Sequence, residues 1–431
     1  MSSRLRAAWP LVAVFAVGYL ASYLLPTVVG RLSAGLGLAP AQAGLVGSVL
    51  LLASSAAGFA LASRVERFGP RRLARTGLVL AFAGYGAAAV TSAVPVVVMG
   101  VTVGGLGSGT ATAVAAAGIA AQRDPHRVSA LGLLSVSATA GALYLTIPRL
   151  GGGHTLPFAA LAVAALAAWP ATCRLDSPGA RVSVPGVQGL PGPRASRPPL
   201  PHRRSGAVLA AAMLCWAMAQ NALWGVSGRI GTTQAGLSEV TVGAVFAVAL
   251  GAGLCGVVVA GTVGARFGRA VPIGAGTVLI ALCVAVSSSA RGLAAFAVGE
   301  VLWNTFYPVV LSYLIGLAAS LDSRGRWAVL VGSASSLGVA CGPMAGSLLS
   351  AHTGYPGMGL VLCAALLVVA VPMTAVAVHT SGRRPVPVPL PVPAPIRRST
   401  AVAPAVLAEI PVPVAETAPA GSAGTAKVLA S

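Results

Sequence analysis

Eight acidic side chains serve 431 residues, and only Glu300 falls well inside a long apolar run. A charge there is costly to keep, so Glu300 points to proton uptake or to pairing with a cationic solute. Two structural roles compete with that reading. One is an ion pair with Arg229 or Arg291, and the other is a satisfied hydrogen bond between helices. Trp303, Asn304 and Tyr307 follow at i+3, i+4 and i+7, which sets all four on one helical face. Pro308 then removes a backbone donor and loosens the helix.

A second group is carried by residues 216–224. Trp216, Gln220 and Trp224 are four residues apart and share a face, with Asn221 beside Gln220. An aromatic-lined cavity with a few polar groups suits an organic solute. Two amides would equally serve to bridge helices within lipid. Tyr19, Tyr23 and Tyr144 are further candidates for the lining, although Tyr is also a membrane-interface residue. Arg149, beside Pro148, would draw an anion or anchor at the headgroups. The six cysteines stand singly, and the five histidines fall in gaps without ligand spacing. No catalytic residue, metal site or cofactor is expected.

These groups need elements that hold them in lipid. The chain is 56% hydrophobic and only 8% charged, with a mean hydropathy of +0.86. Soluble domains carry about 25% charged residues, and apolar runs of about 20 residues suffice to cross a bilayer. Twelve such runs are read, six on each side of a gap: 8–29, 41–63, 73–94, 96–121, 129–149 and 155–172, then 206–228, 240–263, 271–290, 292–318, 327–350 and 354–378. The first run is longer than a signal-peptide core and is expected to remain as a span. Residues 173–205 form a basic, Pro-rich linker between an N-terminal half (1–172) and a C-terminal half (206–378). Residues 379–431 form a Pro/Ala-rich tail with no core to bury.

The net charge of +20 would fit a nucleic-acid partner, but its distribution argues against one. Of the 28 basic residues, 24 fall on one side of the alternating spans, leaving Arg31, Arg149, Arg229 and Arg291 opposite. That asymmetry places both termini and the linker in the cytoplasm of a cell with a cytoplasmic (inner) membrane.

The halves repeat. Arg67-Phe68-Gly69 reappears as Arg266-Phe267-Gly268, and Asp124 and Arg127 reappear as Asp322 and Arg326, all at offsets of 198–199 residues. Two matches at one offset in equivalent gaps indicate internal duplication. The stretch Ala62-Ser63-Arg64-Val65-Glu66-Arg67-Phe68-Gly69-Pro70-Arg71-Arg72 resembles the loop motif G-x-x-x-[DE]-R-x-G-[RK]-[RK] of the major facilitator superfamily. Glu66, Arg67, Gly69 and Arg71 match. The second copy keeps Gly261, Arg266, Gly268 and Arg269, with Ala265 in place of the acid. The resemblance covers about residues 8–378 and implies an all-α membrane protein of twelve helices in two pseudo-symmetric halves. It also implies a conformational latch at Glu66, Arg67, Gly69, Arg71, Arg266, Gly268 and Arg269. The competing reading is that these arginines simply anchor the cytoplasmic side.

Other family patterns are incomplete. Val101 stands where many relatives have an Arg ahead of Gly105 and Gly107. The Gly-Pro pattern of family antiporters falls in span eleven, at Gly338, Gly342, Pro343 and Gly346, rather than span five. The resemblance implies secondary active transport by alternating access, with efflux of a small organic compound first and import of a carboxylate or other metabolite next. Protons are the candidate coupling ion, and the expected working unit is a monomer in a lipid bilayer. No phosphate-binding G-x-x-x-x-G-K-[ST] loop is present to drive it with ATP. A polytopic membrane enzyme is the remote alternative, disfavoured by short outer loops nearly free of acids.

Overall fold

The structure is a computed structural model that describes residues 3–381, except 123, 176–199, 264–267 and 323–325. The core of the expected linker, Arg266, and the tail beyond 381 lie outside the described residues. The described chain is helical throughout. Its elements are α1 (Ser3–Tyr23), α2 (Leu25–Leu36), α3 (Pro40–Ala62), α4 (Val65–Phe68), α5 (Pro70–Val90), α6 (Val94–Ala120), α7 (Pro125–Leu150) and α8 (Thr155–Ala167). After a 3-10 turn (Trp169–Arg174) come α9 (Arg203–Arg229), α10 (Glu239–Val263), α11 (Ala270–Ser288), α12 (Leu293–Ser320) and α13 (Arg326–Ser381).

Ten of these helices are long and apolar enough to cross a bilayer, and the bent pair α1–α2 makes an eleventh span. The 56-residue α13 is two helices joined at Gly354, whose φ of 69° and ψ of 173° are non-helical. Each arm, 326–353 and 355–381, is long enough to span at 1.5 Å per residue.

The first span differs from the single helix read over 8–29. It is a bent pair with a 49° angle between α1 and α2, and it runs on to Leu36. Pro26, in the first turn of α2, is the cause, because it has no N–H for the preceding turn.

Arg174 and Arg203 mark one end of the bundle, here called basal. Arg31, Gly151 and Glu239 mark the other, apical end. Both duplicated loops do the same work in each half. Asp124 caps α7 by accepting from the Arg127 N–H at 3.1 Å, and Asp322 accepts from the Arg326 N–H at 3.3 Å and from its Nε at 2.7 Å. Gly69 (φ 87°) and Gly268 (φ 65°) both take the left-handed region that a Cβ resists.

Small residues bring the helices together. Gly77, Gly84, Gly100, Gly104 and Gly107 line the α5–α6 seam, where a Cβ on Gly84 would lie 2.3 Å from the Gly104 nitrogen. Gly338 and Gly346 on α13 press likewise on the Leu214 and Ala222 carbonyls of α9, each at 2.2 Å from a built Cβ. Such close approach replaces the hydrophobic drive that lipid cannot supply. The halves meet where α3 packs on α13, α7 on α10 and α2 on α9. Large apolar side chains such as Met99, Val258, Leu360 and Val371 stay exposed on the outside, where acyl chains would cover them.

Candidate functional site

The two groups singled out from sequence come together because α9 and α12 face each other across the second half. Trp303 Nε1 donates to Gln220 Oε1, joining α12 to α9. Trp216 stacks on Tyr307 with ring centroids 5.2 Å apart and planes 13° apart. Trp224 then meets Trp303 at 5.6 Å and Phe246 of α10 at 5.2 Å. Tyr144 of the first half closes the row against Phe246 at 5.0 Å and Trp224 at 6.4 Å. Such ring pairs contribute beyond their area, about 0.5–1.5 kcal/mol each.

The cluster has two layers. Trp216, Gln220, Trp303 and Glu300 are buried. Tyr23, Asn221, Asn304 and Tyr307 are partly exposed, and Tyr19 is exposed. The two Asn side chains turn onto their own helices: Asn221 donates to the Ala217 carbonyl and Asn304 to the Glu300 carbonyl, each at 3.0 Å. Of these three amides, Gln220 is the one that bridges helices. Within the buried layer, Trp216 Nε1 and Gln220 Nε2 have no hydrogen-bond partner. Leaving a buried donor unpaired costs about 1–3 kcal/mol, so these atoms hold unused recognition capacity.

Glu300 lies between α9 and α11 and is 0% exposed. Its Oε1 accepts from Ser287 Oγ at 2.6 Å and Ser227 Oγ at 2.8 Å, while Oε2 has no partner. Neither arginine weighed as a counter-ion reaches it. Arg229 Nη2 donates to Ser347 Oγ at 3.3 Å, and Arg291 is exposed. The serines carry no signal in the sequence, since hydroxyls are common in apolar helices.

Polar contacts across the halves include three toward the apical end. Trp224 Nε1 donates to the Ser22 carbonyl at 3.1 Å. The Met344 N–H, next to Pro343, donates to Ser48 Oγ at 3.0 Å. Arg31 Nη2 pairs with Glu239 Oε2 at 2.5 Å, while its Nη1 donates to the carbonyls of Gly151 and Gly152. Tyr144 supports the same region by donating to the Tyr23 carbonyl at 2.6 Å. A cavity of about 220 Å³ opens between the halves there, lined among others by Thr27, Arg31, Tyr144, Arg229 and Glu239. Sequence reading left Arg31 unassigned and weighed Arg229 only as a partner for Glu300. A signal for both was present: Val28-x-Gly30-Arg31 recurs as Val226-x-Gly228-Arg229, again at an offset of 198.

Residues of the expected latch lie at the basal end. Glu66 and Arg67 are exposed on α4, with the Arg67 guanidinium 6.0 Å from the Phe68 ring centre. Arg71 is half-buried at the start of α5, and Arg269 is exposed before α11. Arg149, exposed, donates to the Leu145 carbonyl of its own helix. Among the described residues no His, Cys, Asp and Glu gather into a metal site.

Two halves of apolar, membrane-length helices that enclose a buried polar layer define a multi-pass membrane protein. The family model described as Major Facilitator Superfamily matches residues 11–321 and 232–416. The chain belongs to that superfamily of secondary transporters. No curated protein matched it. Among solved structures it is similar to a D-xylose-proton symporter, with TM-score 0.66 and 18% identity over 87% of this chain and 99% of that one. It is also similar to the POT family transporter PepTSo, with TM-score 0.67 and 13% identity over 88% and 99%. The human organic anion transporter MFSD10 gives TM-score 0.59 and 16% identity over 86% and 100%. At such identities the likeness is one of fold.

Proposed function

We infer that the protein exports a small organic solute across the cytoplasmic membrane by alternating access. The two halves rock about the aromatic layer, and the working unit is a monomer. The observation that carries this reading is the slender set of polar contacts across the apical seam, headed by Trp224 with Ser22 and Arg31 with Glu239. In this reading those contacts break and re-form in each cycle, and the apolar packing of α3 on α13 and of α7 on α10 parts with them.

The excess of Lys and Arg assigns the basal end, the 173–205 linker and the 379–431 tail to the cytoplasm. With the apical seam closed, solute loads from the cytoplasmic side onto Tyr19, Tyr23, Asn221, Asn304 and Tyr307. Trp216, Gln220, Trp224, Trp303 and Tyr144 form the wall behind them. Glu300, buried with no cation beside it, is the proton carrier in this scheme. The basal Glu66, Arg67, Gly69 and Arg71 loop, with Arg266, Gly268 and Arg269, latches one state of the cycle. Import of a small carboxylate is the second reading, favoured by the arginines of the apical cavity.

Flux of a panel of cationic, neutral and anionic organic solutes in proteoliposomes, with and without a proton gradient, tests the reading. Gradient-driven movement toward the apical side supports export, and movement the other way supports import. Absence of any gradient-sensitive flux across the panel rejects both.

A further inference from the structure

The apical cavity holds two arginines with the same place in each half. Arg31 lies in the apical part of the first span and Arg229 at the end of α9, and the offset between them, 198, matches the 198–199 of the duplicated basal loops. Both line one cavity of about 220 Å³ between the halves. Their surroundings are not equivalent. Arg31 is neutralised by Glu239 at 2.5 Å, and its remaining contacts are the Gly151 and Gly152 carbonyls.

Arg229 is 7% exposed, and its one side-chain hydrogen bond goes to Ser347 Oγ at 3.3 Å. Its Nε has no partner. A guanidinium has five N–H donors and cannot shed its charge, so this one keeps most of its capacity. The duplication shows what is missing. Arg31 of the first half takes its acid from Glu239, at the start of α10 in the second half. The mirror partner for Arg229 would stand at the start of α3, where the offset of 198–199 leads to Pro40 and Ala41. Ala41 precedes Gly44 by one turn, and Gly44 abuts Ser347, the residue to which Arg229 donates. The second carboxylate of a symmetric pair of ion pairs is absent from the chain.

We propose that Arg229 and the cavity around it form a binding site for a small monovalent anion, a halide or the carboxylate of an organic acid, which takes the place of that second carboxylate. Arg31 lends weaker attraction through its bridge to Glu239, and Thr27 presents a hydroxyl to the same space. The inference goes beyond the transport reading and depends on neither its direction nor Glu300.

Thermal unfolding of the purified full chain in detergent, in a zwitterionic buffer, tests it with chloride, acetate, benzoate and sulfate as separate arms compared at equal ionic strength. A ligand that binds the folded state raises the midpoint saturably with concentration. Wild type should show this for chloride or a monocarboxylate. Arg229→Gln should abolish it. Ala41→Glu, which supplies the missing acid and keeps Arg229, should weaken it at least ten-fold. Glu239→Gln, which frees Arg31, should tighten it several-fold. Response to chloride alone assigns the site to inorganic anions, and response to acetate and benzoate assigns it to carboxylates. No saturable response in wild type, or an unchanged response in Ala41→Glu and Glu239→Gln, overturns the proposal. If Arg229→Gln does not fold, those two variants decide alone.

Discussion

Trp224 of the second half donates its indole N–H to the Ser22 carbonyl of the first half, 3.1 Å away. Pro26, four residues after Ser22, has no N–H to offer that carbonyl. One proline therefore does two things: it bends the first span by 49°, and it exposes an acceptor to the other half. Inside a membrane a freed carbonyl needs a partner, so the bend and the cross-half contact are one device.

Trp224→Phe should therefore loosen the apical seam while keeping most of the ring packing. A lost hydrogen bond of this kind is worth about 1 kcal/mol, or roughly a five-fold shift in the closed-to-open ratio. Distances between spin labels at Ala39 and Val240, both exposed at the apical end, would report it. An unchanged distance distribution would show that the indole N–H does not hold the seam.

The Arg31–Glu239 bridge should matter less than its 2.5 Å length suggests, because the Glu239 side chain is 54% exposed. Exposed pairs give about 0–1 kcal/mol and fade with salt. Glu239→Gln should thus shift the same label distances only slightly, and high salt should mimic it. Arg31→Ala should shift them more, since it also strips the Gly151 and Gly152 carbonyls of their donor. Equal effects of the two variants would mean that the ion pair alone closes this end.

Much of this was legible in the sequence, for reasons that differ from residue to residue. The spans were, because lipid demands long apolar runs and the chain has few charges to blur them. The repeat was too, and its Asp and Gly positions prove to be helix caps and left-handed turns, roles fixed by local chemistry. The break at Pro26 was not, because hydropathy is blind to a missing N–H. Helical periodicity put Glu300, Trp303 and Tyr307 on one face, yet it does not say what that face meets. The face meets α9, and Glu300 is walled in by Ser227 and Ser287. The Arg31–Arg229 duplication was visible at the same offset as the others, but its meaning depends on a cavity that residues of both halves line.

Glu300→Gln should fold and insert normally, because its side-chain oxygen can still accept from Ser287 and Ser227, while the amide nitrogen takes the unpaired Oε2 position. If Glu300 carries the proton, solute flux in this variant should lose its dependence on an imposed pH gradient while downhill exchange persists. Paired measurements of counterflow and gradient-driven flux separate the two. A variant that keeps wild-type pH dependence removes Glu300 from the coupling, and one that loses both activities marks it as structural.

Gly109→Ala should be among the most damaging single-methyl changes in the first half. The added Cβ would sit 1.9 Å from the Ser54 carbonyl oxygen, and backbone on a packed helix cannot swing aside. Overpacking of this kind costs about 1–3 kcal/mol and would push α6 away from α3. Gly86→Ala, within α5, meets nothing within 4 Å. It should be neutral or stabilising, since Ala favours helix by about 1 kcal/mol over Gly. The unfolding midpoint should therefore fall for Gly109→Ala and hold or rise for Gly86→Ala. A common shift would mean that glycine here serves helix flexibility rather than the contact between α3 and α6.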